Sequence, residues 1–277
     1  MNIDNDHLDY FKSFENIKKS FINYVKLLPD DGVLVVNGDD INCLDLEGYT
    51  KSTFITYGIK NQNSDFVAKN ISFNDDGFPS FDVYKLGELF CKAQLSVPGK
   101  HNVLNALSCI ALSDYYGIDK ENIVIALKKF TGAHRRFEFV GNVNGARIFD
   151  DYGHHPTEIS ATSESLSNKK YNNSWVVFQP HTYSRTSLLL NEFVDSLQNF
   201  DNIIVLDIYA AREKNTYDIS SQDLVDKLVT TGKNAWYIPD FAKCIEVLKK
   251  KVEPNDIVLT LGAGTVTEIG YLLKEEN

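Results

Sequence analysis

From Ala146 to the C-terminus the chain alternates short apolar runs with helix-like segments, and that alternation leaves few folds open. Five runs read as strands: Ala146 to Phe149, Trp175 to Phe178, Ile203 to Leu206, Ala235 to Ile238 and Ile257 to Leu261. Between and after them, Thr157 to Leu166, Ser184 to Phe200, Ser221 to Val229, Phe241 to Lys250 and Thr265 to Lys274 read as helices. Strand–helix alternation predicts a parallel sheet with helices on both faces. In open α/β sheets of this kind ligands bind outside the carboxyl ends of the strands. The strand-to-helix turns are therefore the first place to look for chemistry.

The first half is mixed. Phe14 to Leu28 carries apolar residues at helical spacing, Pro29-Asp30-Asp31-Gly32 is a turn, and Val33 to Val36 is a buried-strand candidate. Short runs at Phe54 to Tyr57, Phe66 to Phe73, Phe81 to Leu86 and Cys91 to Val97, punctuated by turn residues, suggest a small antiparallel patch. Two helices follow, about His101 to Tyr116 and Lys120 to Phe130. The pattern breaks near Thr131 to Phe137, which places a domain boundary there: residues 1–131, a linker at 132–137, and residues 138–277.

At 277 residues the chain is long enough for one large or two ordinary domains. A formal charge of −10 argues against general nucleic-acid binding, which needs a basic footprint. No apolar run approaches the roughly 20 residues that span a bilayer, and the acidic, polar start from Met1 to Tyr10 has neither signal- nor transit-peptide character. The cysteines, Cys43, Cys91, Cys109 and Cys244, form no C-x-x-C pair and read as scattered thiols of a reducing, cytoplasmic environment.

The densest chemistry is Asp150-Asp151-Tyr152-Gly153-His154-His155-Pro156-Thr157-Glu158, between a strand and a helix opened by Pro156. Two carboxylates, a phenol and two imidazoles crowd one turn, which packing alone does not explain. Phe178 to Thr186, with His181, Thr182, Ser184 and Arg185, occupies the equivalent position one strand along. Thr182 or Ser184 can cap the helix, and Arg185 can hold a carboxylate. Two such loops in adjacent units favour a shared site over two independent caps. Tyr209 to Lys214 can belong to the same rim. Gly262-Ala263-Gly264 is a weak dinucleotide signal, and close backbone packing is the better reading.

Three motifs lie outside this rim. In Gly132 to Glu138, Arg135 and Arg136 are either a solvated basic linker or a phosphate clamp. Asn102 and Asn105, three apart in the first turn of a helix, either read a purine edge or include a simple cap. The neighbouring Gly99-Lys100 is no phosphate loop, because His101 stands where Ser or Thr is required. At Asn5 to Asp9, capping by Asp6 or Asp9 is favoured over metal binding by His7.

Taken in order, Asp6-His7-Leu8-Asp9, Gly99 to Asn105, Arg135-Arg136-Phe137, Asp150 to Pro156 and Phe178 to Thr186 resemble the Mur ligase family, over nearly the whole chain. The resemblance is to the members that join L-alanine to UDP-N-acetylmuramate. It implies an α/β fold made of part of a central ATPase domain followed by a Rossmann-like α/β/α domain. It implies ATP-driven amide formation through an acyl phosphate in peptidoglycan precursor synthesis, with ATP and Mg2+ as cofactors. Carried over by position, His7 is a magnesium ligand. His101, Asn102 and Asn105 surround adenine, and Asp151 holds the ribose. Arg136 reaches the terminal phosphates, and His154 faces the reacting centre. Tyr152, His155, His181 and Arg185 contact substrate, Arg185 through the carboxylate of L-alanine. Several members have a second arginine where this chain has Thr182. The resemblance further implies domain closure during catalysis. It also implies a missing N-terminal part that carries the Gly-rich phosphate loop, so that the isolated chain is inactive. A ligase for another acceptor, such as a folylpolyglutamate-type enzyme, and a non-catalytic binding module are the alternatives.

Overall fold

The computed structural model describes residues 2–274. The chain divides into two compact units, Met1–Thr131 and Gly132–Asn277.

The first unit is built on a five-stranded sheet in the order β1-β2-β3-β4-β5, with β1 at Val33–Asn37, β2 at Thr53–Gly58, β3 at Phe66–Phe73, β4 at Pro79–Lys85 and β5 at Glu88–Gln94. β1, β2 and β3 run parallel; β3, β4 and β5 form the expected antiparallel patch. Helices α1 (Leu8–Phe11), α2 (Phe14–Val25) and α3 (Ile41–Leu44) and a 3₁₀ turn at Asp45–Tyr49 precede or connect the first strands, and α4 (Lys100–Tyr115) and α5 (Lys120–Lys129) follow the last. One core joins Tyr57, Phe66, Phe81 and Val83 of the sheet to Val103, Leu107 and Ile110 of α4. A second holds Ile17 and Val25 of α2 with Val36, Cys43 and Leu46. α2 stops at Val25, short of the expected Leu28: Leu27 N–H and Leu28 N–H bond only three residues back, to Tyr24 O and Val25 O (both 3.1 Å), so the chain tightens into a turn before Pro29.

The second unit carries a six-stranded sheet in the order β10-β9-β8-β11-β7-β6. Its strands are β6 (Glu138–Val143), β7 (Ala146–Asp151), β8 (Ser174–Phe178), β9 (Asn202–Val205), β10 (Asn234–Tyr237) and β11 (Ile257–Leu261). All neighbours pair in parallel except β6, which forms an antiparallel hairpin with β7. The helices are α6 (Pro156–Ser167), α7 (Tyr183–Leu188), α8 (Leu190–Leu197), α9 (Ser221–Thr230), α10 (Phe241–Lys251) and α11 (Thr267–Leu273). Alternate strand residues feed two cores, one against α6, α8 and α9 and the other against α10 and α11. This is a three-layer α/β/α arrangement.

Three sequence expectations change here. The strand starting at Ala146 runs on to Asp151, so Asp150 and Asp151 are strand residues rather than turn residues. The helix expected from Ser184 to Phe200 is two helices broken at Leu189, whose φ of −115° and ψ of 25° are not helical. β6 was not expected at all: Gly141 sits at a register shift and breaks its alternation. Its signal was the turn Asn144-Gly145, both residues at positive φ (51° and 79°), the geometry a two-residue hairpin needs. No helix among the described residues is long and apolar enough to cross a membrane.

Candidate functional site

Because β11 lies between β7 and β8, the loops leaving these three strands stand side by side at their carboxyl ends. The loops are laced together by backbone bonds: Gly262 N–H donates to Asp151 O (3.0 Å) and Gln179 N–H to Leu261 O (3.0 Å). The loop after β9 joins them, with Thr182 N–H on Tyr209 O at 2.9 Å and Tyr209 N–H on Pro180 O at 2.8 Å. Close approach requires the two glycines. A Cβ on Gly262 would lie 2.7 Å from Gln179 O, and one on Gly264 would lie 2.3 Å from Gln179 Oε1. Gln179 completes the contact by accepting from Val266 N–H at 3.0 Å.

The two carboxylates of β7 do different things, because successive strand residues point to opposite faces. Asp150 is fully buried, accepting from Arg135 Nε at 2.8 Å and from Thr260 Oγ1 at 2.6 Å. Asp151 is 7% exposed; its oxygens accept from Gly153 N–H at 2.7 Å and Phe137 N–H at 2.9 Å. Burial pushes its carboxyl up to about 6, against the opposing pull of the Gly153 N–H, the Arg136 charge and the Phe137 N–H. Residues 135–137 are thereby fastened to β7. Arg136 lies between these fastened neighbours with a half-exposed side chain, its guanidinium 5.6 Å from the Tyr152 ring and 3.7 Å from Glu158.

His155 is 8% exposed and serves as N-cap of α6: its Nδ1 accepts from Thr157 N–H at 3.3 Å while Glu158 returns to its backbone. That capping box fixes the start of α6. His154 lies in the turn before it, with Nδ1 3.0 Å from Tyr152 O and 3.4 Å from Glu158 Oε2. The His154 ring is 5.5 Å from both the Tyr152 and the His181 rings, and His181 stacks on Tyr209 at 5.5 Å. Arg185, in the first turn of α7 and four residues on from His181, places Nη1 3.3 Å from His181 Nδ1. The second strand-end loop therefore meets the first, as two polar loops in adjacent units suggested. Sequence reasoning left Tyr209 and Glu213 at the margin of the rim, with no role for either. The Glu213 carboxylate accepts from Ser184 N–H at 2.9 Å and holds the first turn of α7, on which Arg185 sits.

Two guanidiniums, two imidazoles and two phenols, from Arg136, Arg185, His154, His181, Tyr152 and Tyr209, thus gather on one edge of an otherwise acidic chain. Such a set can bind anionic groups in water-accessible but oriented fashion, carboxylate and phosphate above all.

In the first unit, His101 is exposed in the first turn of α4. Gly99 rather than Asn102 is the N-cap of α4. Asn102 instead donates to Pro98 O at 2.7 Å and accepts from Asn105 Nδ2 at 3.0 Å. Asn102 is therefore a support for Asn105. His7 is exposed with a left-handed backbone (φ 52°) and occupies the N-cap position of α1 itself, with no side-chain cap bond. Its Nε2 is 3.6 Å from Asp6 Oδ2, and no group of three His, Cys, Asp or Glu among the described residues could hold a metal ion. A magnesium ion held by one imidazole and one carboxylate would take its remaining ligands from water or nucleotide phosphates.

Comparisons with known proteins converge. The model of the Mur ligase middle domain matches residues 1–113, and that of the Mur ligase glutamate ligase domain matches residues 135–264. UDP-N-acetylmuramate–L-alanine ligase of Caldanaerobacter subterraneus subsp. tengcongensis is 46% identical over 277 residues, which cover 100% of this chain and 60% of that protein. The enzyme of the same name from Clostridium acetobutylicum is 45% identical, covering 98% and 59%. The crystal structure of UDP-N-acetylmuramate-alanine ligase from Thermotoga maritima superposes with a TM-score of 0.78 at 27% identity, covering 97% of this chain and 56% of that one. MurF of Acinetobacter baumannii, at 18% identity and a TM-score of 0.79, shares the fold over 99% of this chain and 58% of its own. The chain spans about 60% of the length of the curated relatives it matches.

Proposed function

Since this chain belongs to the Mur ligase family, we propose that it supplies the nucleotide-contacting and amino-acid-binding parts of an ATP-dependent ligase joining L-alanine to UDP-N-acetylmuramate. The observation that carries the reading is the strand-end rim, in which Arg185 and His181 lie within 3.3 Å of each other and next to His154. A carboxylate is a poor acylating agent. In the proposed reaction the lactyl carboxylate takes the γ-phosphoryl group of ATP and ADP leaves. The amine of L-alanine then attacks the acyl carbonyl, the C–O bond to phosphate breaks, and the amide forms with loss of a proton.

The residues divide this work. Arg185 holds the carboxylate of L-alanine, with His181 fixing its guanidinium. Thr182 adds no second positive charge. Its backbone carbonyl and hydroxyl instead shape the start of α7, accepting from Thr186 Oγ1 at 2.7 Å and Arg185 N–H at 3.4 Å. His154, held by the Tyr152 carbonyl, lies beside the attacking amine, and Tyr152 walls the site. Arg136 stabilises the negative charge that builds on the transferring phosphoryl group. Each Asp151 oxygen keeps a second acceptor position beyond its N–H bond, and a ribose hydroxyl donates to that edge. Asn105, supported by Asn102 and with His101 beside it, pairs its carboxamide with the donor–acceptor edge of adenine. His7, its Nε2 3.6 Å from Asp6 Oδ2, would hold a magnesium ion together with nucleotide phosphates, and that ion would offset the negative charge of phosphoryl transfer.

The test is phosphate release by the gene product carrying the relatives' full length. Release should require UDP-N-acetylmuramate, L-alanine and ATP together, and Arg185→Ala should raise the KM for L-alanine by about 10- to 100-fold. Turnover with a different amino acid or acceptor would refute the substrate assignment. The 277-residue chain has no Gly-x4-Gly-Lys-Ser/Thr run and is proposed to be inactive alone; phosphate release by it would refute that part.

A further inference from the structure

Arg135 is the most heavily committed side chain near the rim, and the reading above gives it no task. Its side chain is 14% exposed and pairs through Nε with the fully buried Asp150 at 2.8 Å. Nη2 donates to Gly262 O at 2.6 Å, and Nη1 reaches Gly264 O at 3.5 Å. The guanidinium lies 4.9 Å from the centre of the Tyr152 ring. Its backbone is engaged as well: Tyr152 N–H donates to Arg135 O at 2.7 Å, and Arg135 N–H donates to Glu138 Oε2 at 2.8 Å.

We infer that Arg135 is a positioning residue: from behind Tyr152 it ties β7 to the Gly-Ala-Gly loop after β11, and so fixes the Tyr152 ring and the aim of Arg136. Three observations carry this. The planar fork satisfies a carboxylate and two carbonyls on two different strand ends at once, which the compact ammonium of a lysine cannot do. Arg135 and Phe137 both have positive φ, 57° and 50°, a conformation that side-chain-bearing residues keep only where surroundings impose it. The impositions alternate: Asp150 grips the side chain of Arg135, Asp151 grips the N–H of Phe137, and Arg136 between them keeps a half-exposed side chain beside Tyr152 and Glu158. Arg135 touches no reactant in this scheme.

The inference rests on the ligase reading for its functional consequence, so the test has an arm that needs no turnover. Arg135→Lys keeps the charge opposite Asp150 and loses the fork. The paired change Arg135→Gln with Asp150→Asn removes both charges together and guards against a folding failure caused by an unpaired buried carboxylate. In the 277-residue chain, Arg135→Lys should speed amide hydrogen exchange at least about 10-fold in residues 150–153 and 262–266 and leave β8 and β9 protected. In the full-length enzyme it should lower kcat by about 10- to 100-fold with each KM within about threefold, since misplaced groups lose rate rather than binding. Unchanged exchange would overturn the clasp whatever the enzyme does. A raised KM at constant kcat would overturn it too, by making Arg135 a substrate contact. A wild-type enzyme that ligates nothing would refute the ligase reading and leave the exchange result to judge Arg135.

Discussion

Asp151 illustrates how one residue can be visible in a sequence and still be misjudged. The pair Asp150-Asp151 stands out as two charges in one turn, and it resolves into two separate devices because the strand pleat sends neighbours to opposite faces. Asp150 finds an arginine and a threonine hydroxyl; Asp151 finds burial, which pushes its carboxyl up to about 6 against two backbone N–H groups and the Arg136 charge. No sequence pattern reports burial of that kind. The shift has a definite sign. The folded protein holds the Asp151 proton more tightly than the unfolded chain, whose carboxyl has its ordinary value of 3.8. Asp151 therefore contributes stability that is complete below pH 3.8 and is lost as pH rises to about 6. The total is on the order of 3 kcal/mol at about 1.4 kcal/mol per unit. Asp151→Asn cannot titrate, so the stability of wild type relative to the variant should fall between pH 4 and 6 and stay flat from 6 to 8. Denaturant midpoints of both proteins across that range check this; a constant difference would show that folding does not raise the Asp151 carboxyl above its unfolded value.

At the scale of elements, the informative case is the loop between β11 and α11. Gly262-Ala263-Gly264 reads as a weak dinucleotide motif or as a packing device, and the packing reading is the one the geometry supports. Gly262 has φ 145°, and a side chain there would meet a backbone carbonyl that cannot swing away. Gly262→Ala should therefore cost about 2–3 kcal/mol, the range of a strained and overpacked position. Gly117→Ala has open space around it, so φ of 70° is its sole penalty and its loss should be nearer 1 kcal/mol. Urea unfolding of the two variants gives the comparison, and equal losses would remove the steric argument. The hairpin of β6 and the break at Leu189 show what periodicity misses. A bulge at a glycine erases alternation, and a helix split by one non-helical residue keeps its apolar spacing on both sides.

At the scale of the molecule, strand–helix alternation from Ala146 onward was enough to give a parallel sheet and its helical layers, and it could not give strand order. The last strand, β11, returns to lie between the first two parallel strands, β7 and β8. That return places the glycine loop between the Asp151 and Gln179 loops and makes one site from three distant segments. It also means that the second unit is not finished until its last strand is in place. Both faces of the sheet carry their own cores, with Phe178, Phe193 and Ile203 on one side and Ile148, Leu248 and Val258 on the other, and all of these lie within Gly132–Asn277. Residues 132–277 expressed alone should consequently fold as a cooperative domain, with a single unfolding transition and the hydrogen-exchange pattern they show within the whole chain. Ending the same polypeptide at Asn255 removes β11 and α11, exposes Ile148, Val176 and Phe178 and unzips both neighbouring parallel ladders. The shortened form should lose the cooperative transition and bind hydrophobic dye. A cooperative transition in the shortened form would mean that the sheet closes without its central strand, and the strand-end site would then have to assemble on a different frame.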